Sequence, residues 1–470
     1  MEQFDVIVIG GGAAGENIAG RCSDCGASIV VVEAELVGGE CSYWACMPSK
    51  TLLRPGEVLA EVRRVPGAAA AVTGELDVAD VLAWRDDITG HWDDDGQVQW
   101  LEGAGGVLVR GRGRLVGERR VDVVLPDGSV RALEATKAVV LATGSSAAMP
   151  PIDGLRDVQP WDSRAVTSAK EVPERLLVLG GGVVGVEMAQ AWKRLGAREV
   201  TVIDKASRLV TKFEPFVSDE LRAAFEAEGI AVVLDASVER AAREGSRGGA
   251  DGPVTLTLGD GRTFTADELL VATGRRPNTD DLGLDAVGLA PGEPIDVDDR
   301  LRATGVVGDD AWLYAIGDCN GRTLLTHMGK YQARIAADAI LHGSTVTAWA
   351  DHRAVPSVVF TDPQLAMVGL TEAKAREQGI DVKVVSHATG DIAGAAVRGK
   401  DITGTCQLVV DDARRVVVGA TFTGPGVGEM LHAATIAVVG EVPLDTLWHA
   451  VPSFPTISEV WLRLLEAYGL

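Results

Sequence analysis

Cysteine is scarce in this chain, six thiols among 470 residues, which is too few for a disulfide scaffold. A close pair in such a chain serves catalysis or metal binding, and Cys41 and Cys46 have no companion cluster that would complete a zinc site. No metal centre is expected. Basic residues are also short, 44 against 67 acidic, leaving a formal charge of −23 and a pI near 4.7. That balance excludes a sequence-independent grip on nucleic acid or on an anionic membrane surface. Long apolar runs are missing too, and none reaches the length of a membrane span. Met1 to Asp5 lead directly into an apolar strand with no basic region or small-residue cleavage site, so no secretory signal is expected and the cytoplasm is the expected compartment. What is plentiful is hydrophobic content, 46%, and glycine, 56 residues. A chain this long exceeds a single core, and three or four domains are expected.

The glycines are organised. Phe4 to Ile9 form a short β-branched run that stops at Gly10, Gly12 and Gly15, a G-x-G-x-x-G pattern between a strand and a helix. Ser28 to Val32 read as a second strand ended by Glu33, placed to bind a ribose hydroxyl. Such glycines let a pyrophosphate approach the backbone at a helix N-terminus. A glycine-rich turn without a ligand is the competing reading, and strand, helix and acid together argue against it. The pattern recurs. Leu176 to Leu179 lead into Gly180, Gly182 and Gly185, Val200 to Ile203 form the next strand, and Asp204 takes the place of the ribose-binding acid. A carboxylate there accepts a hydrogen bond from a free 2′-hydroxyl and repels a 2′-phosphate, so NADH is favoured over NADPH, with Lys205 and Arg208 close by as opposing charges. Each half closes on the same tripeptide, Ala142-Thr143-Gly144 and Ala272-Thr273-Gly274. Two such folds require two dinucleotides.

Within the first half, just after its second strand, lies Gly38-Gly39-Glu40-Cys41-Ser42-Tyr43-Trp44-Ala45-Cys46-Met47-Pro48-Ser49-Lys50. Pro48 suits the first turn of a helix, so a helix is predicted to start near Met47 and run through Lys50 towards Leu59. Cys46 at its N-terminus would meet the positive end of the helix dipole, which favours a thiolate. On an ideal helix, cysteines at this spacing would have Cα atoms roughly 8 to 9 Å apart, beyond the roughly 7 Å a disulfide tolerates. Cys41 is therefore expected in the turn before the helix, with Gly38 and Gly39 supplying backbone freedom, or the first turn must be distorted. Two buried thiols in a helix is the plainer alternative, but it leaves the glycine pair and Pro48-Ser49-Lys50 without a task. The redox pair follows the first glycine fold, so that fold should hold the prosthetic group and the second an exchangeable nicotinamide. Cys22-Ser23-Asp24-Cys25 falls at the end of the first helix and reads as packing and turn; Cys319 reads as structural. Residues 61–106 carry helical stretches around Val78 to Trp92 and an acidic patch at Asp93 to Asp95, with no chemistry assigned. Val107 to Val124 alternates and reads as a β-meander.

Together these motifs resemble the class I pyridine nucleotide-disulfide oxidoreductases, the family of dihydrolipoamide dehydrogenase, glutathione reductase and mercuric reductase, over essentially the whole chain. The resemblance implies an α/β fold with two Rossmann-like dinucleotide-binding domains and a C-terminal α+β dimerisation domain. It divides the chain into an FAD domain (1–150), an NAD(P) domain (151–280), a central segment completing the FAD site (281–346) and a dimerisation domain (347–470). By resemblance Cys41 is the thiol that exchanges with substrate, Cys46 the thiol against the flavin, and Lys50 the lysine beside the flavin ring. Gly39 joins Gly10, Gly12, Gly15, Glu33, Ala142, Thr143 and Gly144 in the FAD site. Gly317 and Asp318, after the strand Leu313 to Ile316, serve its ribityl and phosphate region, although Asp318 taken alone reads as a helix N-cap. Leu325 to Lys330 open a helix passing near the flavin ring. Glu187 matches a residue near the nicotinamide, with Gly274 in the same domain; on position alone it reads as a solvated helix charge. Val355 to Pro363 and Val368 to Glu372 match the opening of the dimerisation domain, whose last residues serve the other subunit of a homodimer. There Gln407 to Val410 and Val416 to Phe422 read as antiparallel strands, followed by an apolar helix from Val427 to Val439.

The family ending breaks at one position. Glu459 is present, but Phe454 stands where a histidine exchanges protons with the dithiol, a contribution of about 10²–10⁴-fold. His449 lies upstream and could take the role only through a register shift; otherwise it reads as an interface histidine. Glu466 to Leu470 carry no second cysteine pair. The leading expectation is an NAD(P)H:disulfide or dithiol oxidoreductase whose substrate needs little acid–base help. The alternatives are a quinone, dye or metal-ion reductase, and a redox sensor that keeps the fold without turnover.

Overall fold

The fold was obtained as a computed structural model in which residues 1–245, 252–307 and 311–470 are described. Two compact units interleave along the chain, one of residues 1–48, 86–147 and 275–351, the other of residues 49–85, 148–274 and 352–470. Residues 281–346, expected as a segment of their own, fall within the first unit, because strand Leu313–Ala315 pairs in parallel with Val130–Leu141 and extends the same sheet. Residues 49–85, expected with the N-terminal domain, fall within the second, where Leu52, Leu53 and Val81 are buried in one core with Val186, Trp192 and Val200.

In the first unit the sheet runs in the order Val107–Arg110, Ile29–Glu33, Glu2–Ile9, Val130–Leu141, Arg120–Val124, Arg112–Gly117. Its central strand is covered on both faces. Val6 and Val8 pack with Ile18, Ala19, Ala333 and Ala336, while Ile7 and Ile9 pack with Val30, Val32, Leu115 and Leu313. A strand buried on both sides needs an apolar residue at every position, which is why Val6 to Ile9 is an unbroken run. Each of these side chains contributes roughly 1.5–3 kcal/mol on burial. The expected meander over Val107 to Val124 is corrected. Val107–Arg110 pairs in parallel with Ile29–Glu33, and the meander is formed by Arg112–Gly117, Arg120–Val124 and Val130–Leu141. Gly111 makes the division, since its N–H still donates to Glu33 while a Cβ there would collide with the Val124 carbonyl.

The second unit holds a four-stranded parallel sheet in the order Ile230–Val233, Glu199–Ile203, Arg175–Leu179, Glu268–Val271, and a three-stranded antiparallel sheet of Val238–Arg243, Val254–Leu258 and Thr263–Ala266. Its C-terminal part is a five-stranded antiparallel sheet, Ser357–Val359, Gln364–Gly369, Val416–Gly424, Thr405–Asp411 and Val382–Ala388 in that order. The helices Val427–Val439 and Val460–Tyr468 lie on that sheet, with Phe422 edge-on to Trp461 at 5.9 Å. Among the described residues no helix is long and apolar enough to cross a membrane, and no three His, Cys, Asp or Glu side chains gather as a metal cluster.

Candidate active site

Both glycine motifs fold the same way, and the structure shows why each glycine is needed. Gly10 and Gly180 have φ of 104° and 116°, where a side chain is strained, and a Cβ on either would overlap the carbonyl of Ala142 or Ala272. A Cβ on Gly15 or Gly185 would overlap the carbonyl of Gly10 or Gly180, so these third glycines set how closely helix approaches strand. The middle glycines differ in kind. Gly12 and Gly182 are the N-caps of helices Ala13–Asp24 and Val183–Arg194, with no side-chain cap. A Cβ on Gly182 would point into open space, and one on Gly12 would meet only the Gly39 Cα at 3.9 Å. Each helix thus presents bare N–H groups in a side-chain-free cradle, which fits a pyrophosphate. The acids complete the symmetry. Glu33 accepts from Gly11 N–H at 2.6 Å and Glu35 N–H at 2.7 Å; Asp204 accepts from Gly181 N–H at 2.5 Å and Ala206 N–H at 2.7 Å. Arg208 does not face Asp204 as an opposing charge, because its guanidinium donates to the Phe213 and Thr211 carbonyls and to Ser218.

In the first unit the cysteine segment rides on this loop. Gly38 and Gly39 have φ of 110° and 58°, Gly38 N–H donates to the Gly11 carbonyl at 2.8 Å, and a Cβ on Gly39 would press on the Gly12 Cα at 2.8 Å. Cys41 lies within a short helix, Gly39–Tyr43, rather than in a plain turn, and a second helix starts at Cys46 and continues past Pro55 to Arg64. Trp44, at φ −136°, breaks the two and resolves the spacing problem of a single continuous helix. All six cysteines are thiols. Cys46 Sγ lies 3.3 Å from Thr326 Oγ1 at the head of helix Thr326–His342. The Cys41 thiol is held far above the usual thiol range by its hydrogen bond to Cys46, then by burial and by the neighbouring thiolate charge, against the opposing pull of Thr326 and Lys330.

The same unit places Asp318 in the short 3₁₀ helix Gly317–Asn320, capped by Ile316, so Asp318 is not an N-cap. Its carboxylate accepts from Ser145 Oγ at 2.5 Å and lies 3.8 Å from Arg275 Nε. Ala142, Thr143 and Gly144 end the neighbouring strand, with Thr143 Oγ1 donating to the Asn278 carbonyl. Cys319 is buried and donates to the Leu141 and Ile316 carbonyls.

In the second unit Lys50 Nζ and Glu187 Oε2 form an ion pair at 2.7 Å, and Glu187 Oε1 accepts from Phe360 N–H at 2.9 Å. Glu187 is 2% exposed, so the reading of a solvated helix charge does not hold. Lys50 also sits over the Phe360 ring at 5.0 Å. Gly274 has φ of 147° and open space around it. Phe454, before a cis bond to Pro455, is 75% exposed and His449 is exposed as well. Glu459 is buried, accepting from Ala393 N–H at 3.1 Å and from Arg463 at 2.9 Å. Sequence reasoning passed over Ser145, Arg275 and Phe360, which hold Asp318 and Glu187 in place from distant parts of the chain. It also passed over Thr326, although the expected helix there pointed to it.

Comparison with known proteins agrees with the fold. Residues 4–338 match the model of the pyridine nucleotide-disulphide oxidoreductases, and residues 355–464 match the dimerisation domain of the same group. The mercuric reductase of Lysinibacillus sphaericus is 30% identical over 97% of this chain and 81% of its own length. The dihydrolipoyl dehydrogenase of Chlamydia trachomatis is 31% identical over 98% of this chain and 96% of its own. Among solved structures, LpdA from Mycobacterium tuberculosis superposes with a TM-score of 0.86 at 24% identity, covering all of both chains. The HOCl-induced flavoprotein disulfide reductase RclA from Escherichia coli does so with 0.84 at 24% identity, covering 98% of this chain and 99% of its own.

Proposed function

The chain belongs to the pyridine nucleotide-disulphide oxidoreductase family, and on that premise we propose that it works as a homodimer, spending NADH to reduce a disulfide substrate through Cys41 and Cys46. It is an FAD-dependent, NAD(P)H-linked oxidoreductase acting on sulfur. The observation that carries the reading is the hydrogen-bonded thiol pair fastened to the first glycine loop. Bound FAD supplies the two-electron relay between nicotinamide and thiols. The chain's own residues do the rest. Helix Ala13–Asp24 receives the pyrophosphate at its bare N-terminus, and Glu33 takes the ribose hydroxyls. Lys50, fixed by Glu187, provides a positive charge that offsets negative charge developing on reduction. Cys41 exchanges with substrate and Cys46 resolves the mixed disulfide.

Asp204 favours NADH. Arg208 is committed to its own loop, and Lys205 adjoins Asp204 in the chain. Steady-state assays with both coenzymes should give kcat/KM at least about tenfold higher for NADH, a difference of ~1.4 kcal/mol, and Asp204→Asn should narrow it. Equal values in the native protein would remove the assignment.

A second reading, direct reduction of a quinone, dye or metal ion, is favoured by Phe454 in the place of the proton-exchanging histidine and by the mercuric reductases among the relatives. Anaerobic titration with NADH separates transfer through the thiols from transfer by the flavin alone. Uptake of about two equivalents per subunit shows that the thiols share electrons with the cofactor, and about one equivalent shows that they do not.

A further inference from the structure

Lys50 serves the reaction by its charge alone, so the place where its ammonium rests sets what it contributes. A lysine ammonium is a point charge on a flexible four-carbon stem. Its side chain is 35% exposed here, against 3% for Glu187, which makes the acid the fixed member of the pair and the lysine the one that can move. The second unit supplies a second hold. The Phe360 ring centroid lies 5.0 Å from Lys50 Nζ, inside the roughly 6 Å over which an ammonium is drawn to an aromatic face. Phe360 is 37% exposed, so core packing does not account for its ring. The same residue also holds the acid, because its N–H donates to Glu187 Oε1 at 2.9 Å. One residue therefore grips both members of the pair.

Phe360 is itself fastened. Glu187, Gln190 and Arg194 follow one another along helix Val183–Arg194 at spacings of three and four, which places them on one face, and each takes hold of residues 360–362. Gln190 is buried; its Oε1 accepts from Asp362 N–H at 2.7 Å and its Nε2 donates to the Asp362 carbonyl at 3.0 Å, so one amide satisfies both polar groups of that backbone residue. Arg194 reaches Asp362 Oδ2 at 2.9 Å, and Arg64, at the end of the helix that begins at Cys46, reaches the same oxygen at 2.6 Å. The helix that carries Lys50 and the helix that carries Glu187 are thus tied to the same three residues.

We propose that Phe360 is a positioning residue for Lys50, its ring holding the ammonium and its N–H holding Glu187 in the arrangement from which Lys50 offsets the negative charge of reduction. The inference rests on the role given to Lys50 above and deepens it. An ion pair alone lets a flexible stem approach the carboxylate from several sides. The ring narrows those approaches to one, and no bond to Lys50 is made or broken.

The experiment uses the flavin-loaded protein with Cys41 and Cys46 already reduced. It measures the midpoint potential of the flavin and the rate of its reduction by NADH in Phe360→Leu, Phe360→Tyr and Phe360→Trp, each alone and combined with Lys50→Met. Phe360→Leu keeps the N–H and an apolar side chain but loses the aromatic face. It should slow reduction by about three- to tenfold, the range of a cation–π contact, and lower the potential by ~15 to 30 mV, the same factors converted for two electrons. Phe360→Tyr and Phe360→Trp keep the face and should hold both quantities within about twofold of native. In the Lys50→Met background, Phe360→Leu should change neither, since the partner of the ring is gone. Bound flavin per subunit confirms that each variant is folded. No loss in Phe360→Leu, equal losses in Phe360→Leu and Phe360→Tyr, or a loss undiminished in the Lys50→Met background would overturn the proposal. Native rate and potential in Lys50→Met alone would remove the role of Lys50, and this proposal with it. A protein that shows the expected dependence on the ring but reduces no disulfide would overturn only the disulfide-reductase reading, since neither measurement involves a disulfide substrate.

Discussion

Replacing Cys41 by serine should lower NADH-driven reduction of a disulfide that the native protein turns over by at least about 10⁴-fold, because on the proposed reading the residue lost is the nucleophile that forms the covalent intermediate. A serine oxygen cannot form the mixed disulfide, and Cys22, Cys319 and Cys406 are buried, their thiols each pushed up to about 12 by burial. The same variant should take up about one equivalent of NADH in anaerobic titration instead of two, because the second pair of electrons has nowhere to rest. Turnover of that disulfide above about a hundredth of native, a loss of less than ~2.7 kcal/mol in transition-state stabilisation, would mean that Cys41 is not the exchanging thiol. Combining rate and stoichiometry matters because a merely distorted site would lower the rate and leave the second equivalent in place.

How much of this was legible in the sequence follows from the range of the forces involved. The two glycine motifs were readable because their constraint is local: Gly10 and Gly15 are required by atoms within a few residues and by one neighbouring strand end. The β-branched run Phe4 to Ile9 announced a strand, and the expected helix over Val427 to Val439 forms with those bounds. Long-range pairing was not readable. Glu187 sits one turn into a helix, where a carboxylate is ordinarily solvated, and the arrival of Lys50 and Phe360 N–H, 137 and 173 positions away, makes its burial tolerable. Val107 to Arg110 alternates like the meander that follows it, and its parallel partner, Ile29–Glu33, lies too far back in the chain for a local pattern to reveal.

The glycines also permit a test of which half of the chain holds which dinucleotide. Gly15→Ala and Gly185→Ala introduce the same methyl group at equivalent positions, each overlapping a carbonyl of the preceding turn. Helix and strand must separate to admit it, and overpacking of this kind costs about 1–3 kcal/mol, concentrated where the pyrophosphate is bound. At about 1.4 kcal/mol per factor of ten, affinity for the dinucleotide in that fold should fall roughly 5- to 150-fold. If the first fold holds the prosthetic group, Gly15→Ala should be purified with depleted FAD and regain activity when FAD is added in excess. Gly185→Ala should keep its flavin, and its KM for NADH should rise by the same factor. Gly96→Ala is the control, since Gly96 lies in helix Asp95–Gly103 with nothing within 4 Å of an added Cβ, and alanine there should stabilise the helix by about 0.5–1 kcal/mol. Flavin loss from Gly185→Ala with retention in Gly15→Ala would reverse the assignment and move the thiol pair to the nicotinamide side. Loss of both dinucleotides in either variant would show that the two folds are coupled, so that closing one cradle depends on the other.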